Sequence, residues 1–236
     1  MEFITFSIVI PAHNEEKYIE RTLKRVSSLN YPHNSFEIIL VENGSKDDTL
    51  INSRKIKSKL IKIYSLKRSG ISLAKNFGAN KIKKNSEWII FLDADTILDK
   101  NALLEINKYL LENKQSNLTI GTTRILPIEK GRIISFWFWF YNFINKNYNA
   151  SMCLQIAKRS YFNKIKYDEN LKLLEDFKLI NELKRFGSFF YIPIREVHSS
   201  ARRIKKVGGL KLALQWLIPA IIPYNLRVKR SYEVIR

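Results

Sequence analysis

Acidic residues are scarce in this chain. Lys and Arg number 41 against 22 Asp and Glu, a formal net charge of +19 over 236 residues, and eleven bases occur between Asp48 and Glu87 without one acid. Such an imbalance points to an anionic partner, whether nucleotide, lipid phosphate, membrane surface or nucleic acid; equally, many of the lysines fit plain solvated helix faces. Cysteine is nearly absent. Cys153 stands alone, which excludes an intrachain disulfide and a thiolate zinc cluster and fits a reducing, cytoplasmic setting. The start, Met1-Glu2, lacks a basic lead and a small-residue cleavage site, so no secretory signal is expected. Long apolar runs are missing too. Residues 133–144, containing Phe136-Trp137-Phe138-Trp139-Phe140, and residues 210–226, interrupted by Lys211, Pro219 and Pro223, come nearest. Both fall short of the roughly 20 apolar residues of a spanning helix, which leaves them membrane contact but not crossing. With neither low-complexity linker nor internal repeat, the expectation is one domain.

What is present is a regular alternation. Residues 3–10 read as a buried strand ended by Pro11, and Asn14 is placed to cap a helix carrying Ile19, Leu23 and Val26. A second strand over 36–41 closes at Asn43-Gly44-Ser45, after which Asp47 or Asp48 caps a helix from Thr49. Further strands are predicted over 61–64, 88–92, 118–124 and 189–192, and helices over 72–84, 101–111 and 175–185. Alternating strands and helices imply right-handed crossovers and a mostly parallel sheet covered by helices. Ligands of such sheets bind at the carboxyl ends of the strands. The polar loops 11–15, 42–45 and 93–95 all fall there.

One of those loops, Asp93-Ala94-Asp95, follows the apolar run Ile89-Ile90-Phe91-Leu92, so two carboxylates leave a buried strand end together. Carboxylates this close repel unless protons or a cation neutralise them, and hard oxygen ligands suit Mg²⁺ or Mn²⁺. Asp also serves turns and caps, and on its own the triplet fits either role.

Four ordered segments extend the pattern: Ser7-Ile8-Val9-Ile10-Pro11-Ala12-His13-Asn14-Glu15-Glu16, Val41-Glu42-Asn43-Gly44-Ser45-Lys46-Asp47-Asp48-Thr49, Ala74-Lys75-Asn76-Phe77-Gly78 and Phe91-Leu92-Asp93-Ala94-Asp95-Thr96. Together they resemble the signature of the family 2 glycosyltransferases. That resemblance implies an α/β fold of GT-A type, a Rossmann-like mostly parallel sheet with helices on both faces, over residues 1–209. It also implies metal-dependent, inverting transfer from a nucleotide-sugar to a hydroxyl or lipid-phosphate acceptor, a sugar or a polyprenyl-linked one. By it, Pro11, Ala12, His13 and Glu15 contact base and ribose, Glu42 and Asn43 the base, and Lys75 the donor phosphate. Asp93 with Ala94 addresses the ribose and metal region, and Asp95 ligates Mn²⁺ or Mg²⁺. Glu42 stands where the family more often has Asp, one methylene shorter.

Later segments carry the resemblance on. Leu174-Glu175-Asp176-Phe177 resembles the family's Glu-Asp motif, making Asp176 the general base; the same acids would also suit a helix N-terminus. Lys166-Tyr167-Asp168-Glu169 departs from the glycine-bearing family loop. His198-Ser199-Ser200-Ala201-Arg202-Arg203 resembles an Arg-pair loop, implying that Arg202 and Arg203 bind phosphate and that His198 completes the metal shell.

The aromatic stretch reads either as a core helix or as an acceptor-side surface facing lipid. Residues 210–236, bracketed by bases, read as a membrane-proximal helical segment packed on the domain or on an anionic leaflet. The expected location is cytoplasmic, with room for peripheral contact at the inner face of the membrane. A sugar-phosphate nucleotidyltransferase would instead want a glycine-rich loop near the N-terminus, which residues 11–16 lack. A nucleic-acid-binding protein would leave the Asp93/Asp95 rim unexplained, so no nucleic-acid partner is expected.

Overall fold

The chain starts its core with Phe6–Ala12 (β1), seven buried residues flanked in space by Phe36–Asn43 (β2) and Trp88–Leu92 (β4), both parallel to it. Strands this continuously apolar must be covered on both faces, which is what crossover helices provide. In this computed structural model, which describes residues 2–171, 173–209, 211 and 212, those crossovers are Ile19–Ser27 (α1), Thr49–Arg54 (α2) and Ile71–Ala79 (α3), with Ile61–Leu66 (β3) outside β2. The rest is Thr96–Leu98 (β5), Ala102–Glu112 (α4), Leu118–Thr123 (β6), Leu126–Pro127 (β7), Arg132–Asn147 (α5), Leu154–Lys158 (β8), Arg159–Phe162 (α6), Glu175–Leu183 (α7), Ser188–Ile192 (β9), Val197–Ser199 (β10) and Arg202–Val207 (α8).

The main sheet has the order β3-β2-β1-β4-β8-β6-β9. It is parallel except at β8, which runs antiparallel to both β4 and β6. A second, three-stranded sheet, β5-β10-β7, stands at the carboxyl end of β4. This is the expected α/β architecture, and its apolar residues form one cluster on each face of the main sheet.

Local departures from the expected boundaries have physical causes. Pro11 does not end β1: pairing with β4 stops at Val9, and beyond it only β2 continues alongside, so the missing N–H of Pro11 interrupts no β4 ladder. Asn14 does not cap α1, which begins five residues later. It sits at φ 54 and bridges two loops, its backbone N–H donating to Ser45 Oγ at 3.0 Å and its side-chain carbonyl accepting from Lys46 N–H at 2.8 Å. Asp47, not Asp48, satisfies the start of α2 by accepting the Thr49 N–H at 3.0 Å. Helix α3 ends at Ala79 rather than near 84, because the chain turns so that the Lys83 N–H reaches the buried Glu37 carboxylate. The aromatic stretch is a helix, α5. The expected segment 210–236 falls outside the described residues except for Lys211 and Leu212.

Helix α3 lies hard against the sheet because of one residue. A Cβ on Gly78 would stand 2.4 Å from Val9 Cγ1 and 3.1 Å from Val41 Cγ2. Gly78→Ala is therefore expected to lose about 1–3 kcal/mol in urea unfolding by overpacking. Gly70→Ala, where the added Cβ makes ordinary contact with Leu73 Cβ at 3.4 Å, should stay within about 0.5 kcal/mol of the parent.

Candidate active site

The carboxyl ends of β1, β2 and β4 form a shared rim. On the side formed by β1 and β2, Pro11 and Ala12 finish β1, and Ala12 O accepts from Asn43 Nδ2 at 3.1 Å. The Asn43 side-chain carbonyl accepts the Gly70 N–H at 2.9 Å, while the Asn43 backbone carbonyl lies 2.8 Å from His13 Nδ1. Glu42 is buried, with one carboxylate oxygen on the Ser45 N–H at 2.5 Å and the other on the Ser65 hydroxyl at 2.6 Å. The extra methylene of Glu42 thus spans from β2 to the loop and to β3. Gly44, between Asn43 and Ser45, has φ 69, a left-handed conformation that glycine adopts without strain.

On the side formed by β4, Asp93 and Asp95 follow the strand as expected. The Asp93 N–H donates to Cys153 O at 2.9 Å, and Ala94 O accepts from the Thr22 hydroxyl at 2.7 Å, so the turn is pinned from both flanks. Asp95 is buried. Burial, and then the proximity of Asp93 and Glu15, raise its pKa to about 6 against the opposing pull of Arg202. Arg202 comes from α8, 187 positions from Glu15, and grips Glu15 with both guanidinium nitrogens at 2.8 and 2.7 Å while also reaching Asp95 Oδ2 at 2.9 Å. Tyr18 stacks beneath it, 4.7 Å from ring centre to guanidinium carbon. Arg203 follows on α8 within electrostatic reach of Asp95. Expected as a contact to base and ribose, Glu15 is committed to Arg202.

A second charge pair faces the first. Lys75 Nζ, almost wholly buried, lies 2.6 Å from Asp176 Oδ1 and 4.5 Å above the Tyr167 ring. Burial opposes its charge, yet Asp176, with Tyr167, Glu175 and Asp93 behind it, holds the lysine pKa well above its ordinary value. Lys75, expected on donor phosphate, is thus also the partner of the expected base. Tyr167 donates to Gln155 Oε1, and Gln155 Nε2 donates to Ser151 Oγ at 2.5 Å. Nothing in a Lys-Tyr-Asp-Glu string signals that its tyrosine floors a buried lysine; Gln155 and Tyr18 were equally unmarked. Asp176 and Glu175 open α7 behind Leu174, whose φ of 57 is costly for a side chain of its size.

His198, expected in the metal shell, is paired with another carboxylate. Its Nε2 lies 3.0 Å from Asp99 Oδ2, and its strand β10 pairs with β5. Among the described residues no group of three or more His, Cys, Asp or Glu side chains is arranged to hold a metal. A divalent ion still fits the pair Asp93 and Asp95. Arg202 takes only Oδ2 of Asp95, the Asp95 carboxylate is desolvated, and Mg²⁺-like ions are commonly held by one or two carboxylates with substrate phosphates supplying other ligands. Arg202 Nε is buried with no hydrogen-bond partner. A separate cavity of about 570 Å³, lined by His33, Glu37, Lys59, Lys62 and Lys83, lies where β2 begins, away from this rim.

The description "Glycosyl transferase family 2" matches residues 7–170, which contain the rim from Pro11 to Asp95. The chain belongs to that family. It is 26% identical over 231 residues to the minor teichoic acid biosynthesis protein GgaA of Bacillus subtilis (strain 168), a match covering 84% of this chain and 49% of the relative. The chain therefore spans about half the length of that relative. Among solved structures, the Staphylococcus aureus TarS fragment 1–349 in complex with UDP-GlcNAc superposes with a TM-score of 0.66 at 19% identity, covering 84% of this chain and 58% of that one. A mannosyltransferase from Pyrobaculum calidifontis in complex with GDP-Man and Mn²⁺ gives 0.65 at 16% identity, covering 91% and 65%. At such identities the likeness establishes the fold, and it is the expected one.

Two predictions follow from the charge pairs. Glu175 is fully desolvated, and burial followed by its neighbour Asp176 raises its pKa to about 7 from 4.5. The fold then holds a proton that the unfolded chain releases, so stability declines as pH rises from about 4.5 to about 7 and then levels. Glu175→Gln should abolish that decline, unfolding about 2–3 kcal/mol later than the parent in urea at pH 8 and equally below pH 4. Arg202→Met leaves Glu15 and Asp95 buried without their cation and should cost about 3–5 kcal/mol at pH 8. Because burial has already lifted Asp95 to about 6, the loss should shrink at pH 5, where that carboxyl takes up a proton.

Proposed function

We propose that this chain is the catalytic unit of an inverting glycosyltransferase that moves a sugar from a nucleotide-sugar to a hydroxyl or lipid-phosphate acceptor. The observation that carries the reading is the meeting of Asp176, held by Lys75 at 2.6 Å, with the Asp93/Asp95 end of β4 on one rim. Asp93 is close enough to influence both Lys75 and Glu175 electrostatically. The donor class is supported by the UDP-GlcNAc and GDP-Man complexes of the structural neighbours.

In this mechanism Pro11, Ala12, His13, Asn43 and Glu42 receive the nucleoside. Asp176, about one-third exposed, accepts the acceptor's hydroxyl proton as its oxygen bonds to the anomeric carbon. The bond from that carbon to the diphosphate oxygen breaks on the opposite face, which inverts the centre. Arg202 and Arg203, both within electrostatic reach of Asp95, stabilise the charge gathering on the departing diphosphate. Mn²⁺ or Mg²⁺, held by Asp95 and Asp93 together with the diphosphate, would supply further neutralisation of that leaving group. The teichoic-acid name of the Bacillus relative supports a phosphate-rich glycan acceptor, and the surplus of bases supports work beside an anionic leaflet. No described helix is long and apolar enough to cross a membrane.

A thermal-shift panel of UDP-, GDP- and dTDP-sugars with and without Mn²⁺ tests this. One donor should stabilise the protein by about 2.7 kcal/mol when present at a hundred times its Kd. Asp95→Ala should erase the metal-dependent part. Asp176→Asn should keep donor stabilisation while transfer falls by about 10²–10⁴-fold. Failure of every donor to stabilise, or undiminished transfer by Asp176→Asn, would sink the reading.

A further inference from the structure

Helix α5 shows solvent a face that a water-soluble helix ordinarily buries. Ile133, Phe136, Trp139 and Phe143 fall at spacings of three, three and four residues, and Tyr148 continues the line just past the helix end. Trp139 is 61% and Phe136 55% exposed. The rings form a ladder, with centroids 5.9 Å apart from Phe136 to Trp139, 6.0 Å from Trp139 to Phe143 and 6.3 Å from Phe143 to Tyr148. Isolated exposed apolar residues need no explanation, whereas a contiguous aromatic patch of this kind marks a contact surface.

The opposite face of the same helix is fixed to the domain. Ile134, Phe138 and Tyr141 are buried. The Asn142 amide pairs with both backbone groups of Ile125, accepting at 2.9 Å and donating at 2.8 Å. Tyr141 lies within electrostatic reach of Cys153, whose carbonyl pins Asp93. The helix is thus a rigid ledge beside the Asp93/Asp95 rim.

Charge selects the partner. Between Glu129 and Asp168 there is no acidic residue, and exposed Lys130, Arg132 and Lys146 stand at the two ends of the aromatic ladder. Glu129, the nearest acid before α5, is occupied in accepting from the Ser200 hydroxyl and the Ala201 N–H. Aromatic rings on one face, flanking bases and a length of 16 residues describe a helix that lies in a lipid interface.

We propose that α5 docks flat on an anionic membrane, inserting Ile133, Phe136, Trp139 and Phe143 among the lipid chains while Lys130, Arg132 and Lys146 meet headgroup phosphates. The proposal deepens the transferase reading by giving the active-site rim a fixed bearing on the leaflet, where a lipid-linked acceptor would present its head. It rests on that reading for the acceptor alone.

The test uses the full chain with sedimented vesicles of pure phosphatidylcholine or of phosphatidylcholine with phosphatidylglycerol. Binding is expected to the anionic vesicles, weakening in high salt, and brominated lipid should quench the parent's tryptophan emission more than that of Trp139→Phe. Phe136→Ser combined with Trp139→Ser should reduce the partition coefficient by roughly tenfold or more, with unfolding in urea and donor stabilisation as in the parent. Equal binding by parent and double variant, or none to anionic vesicles, overturns the proposal. So does a lipid-free protein whose Trp139 is shielded from acrylamide, since residues 213–236 or a second copy would then cover the face. Loss of donor stabilisation across the sugar panel with vesicle binding intact would instead count against the transferase reading.

Discussion

The site depends on one constraint: the carboxylates gathered at the rim must be matched by buried cations. Glu15 and Asp95 are answered by Arg202, and Asp176 by Lys75. Each pairing gathers elements far apart in sequence, and each cation also rests on an aromatic ring, Tyr18 or Tyr167. Removing water strengthens both attraction and repulsion, so such a site is well ordered only when every charge has its partner. In the proposed reaction an anionic donor and a divalent cation would arrive as opposite charges at a rim whose own charges are already paired.

The small sheet β5-β10-β7 exists in service of this balance. Strand β5 continues directly from Asp95, and β10 pairs with it from Val197 to Ser199 before the chain turns into α8. Glu129, after β7, fastens that turn through Ser200 and Ala201, and His198 fastens β10 to Asp99. The result is that Arg202 is delivered to a carboxylate formed 187 positions earlier. His198 is therefore part of the fastening.

Much of the fold was legible because parallel strands announce themselves. Runs such as Ile8-Val9-Ile10 and Ile89-Ile90-Phe91 have no polar alternation, and helix spacing between them leaves little choice of architecture. Strand β8 was not legible: Leu154-Gln155-Ile156-Ala157-Lys158 alternates weakly, and its Gln155 is buried only because Tyr167 donates to it. The three short strands of the second sheet carry too few residues for any period to show. Asn14 was misread because a capping side chain and a loop-bridging side chain have the same sequence signal.

By itself, the sequence determined the α/β alternation, the convergence of residues 11–15, 42–45 and 93–95 on one rim, and the family, since these follow from local apolar runs and ordered motifs. It marked Asp93, Asp95, Lys75, Asp176 and Arg202 as charged groups of interest. Only the tertiary structure decided who answers whom: Lys75 with Asp176, Arg202 with Glu15 and Asp95, His198 with Asp99. It alone also decided which side of the aromatic helix faces water. Ion pairing and burial are properties of distance through space, and distances across 99 or more residues are set by the closing of the sheet rather than by any local pattern.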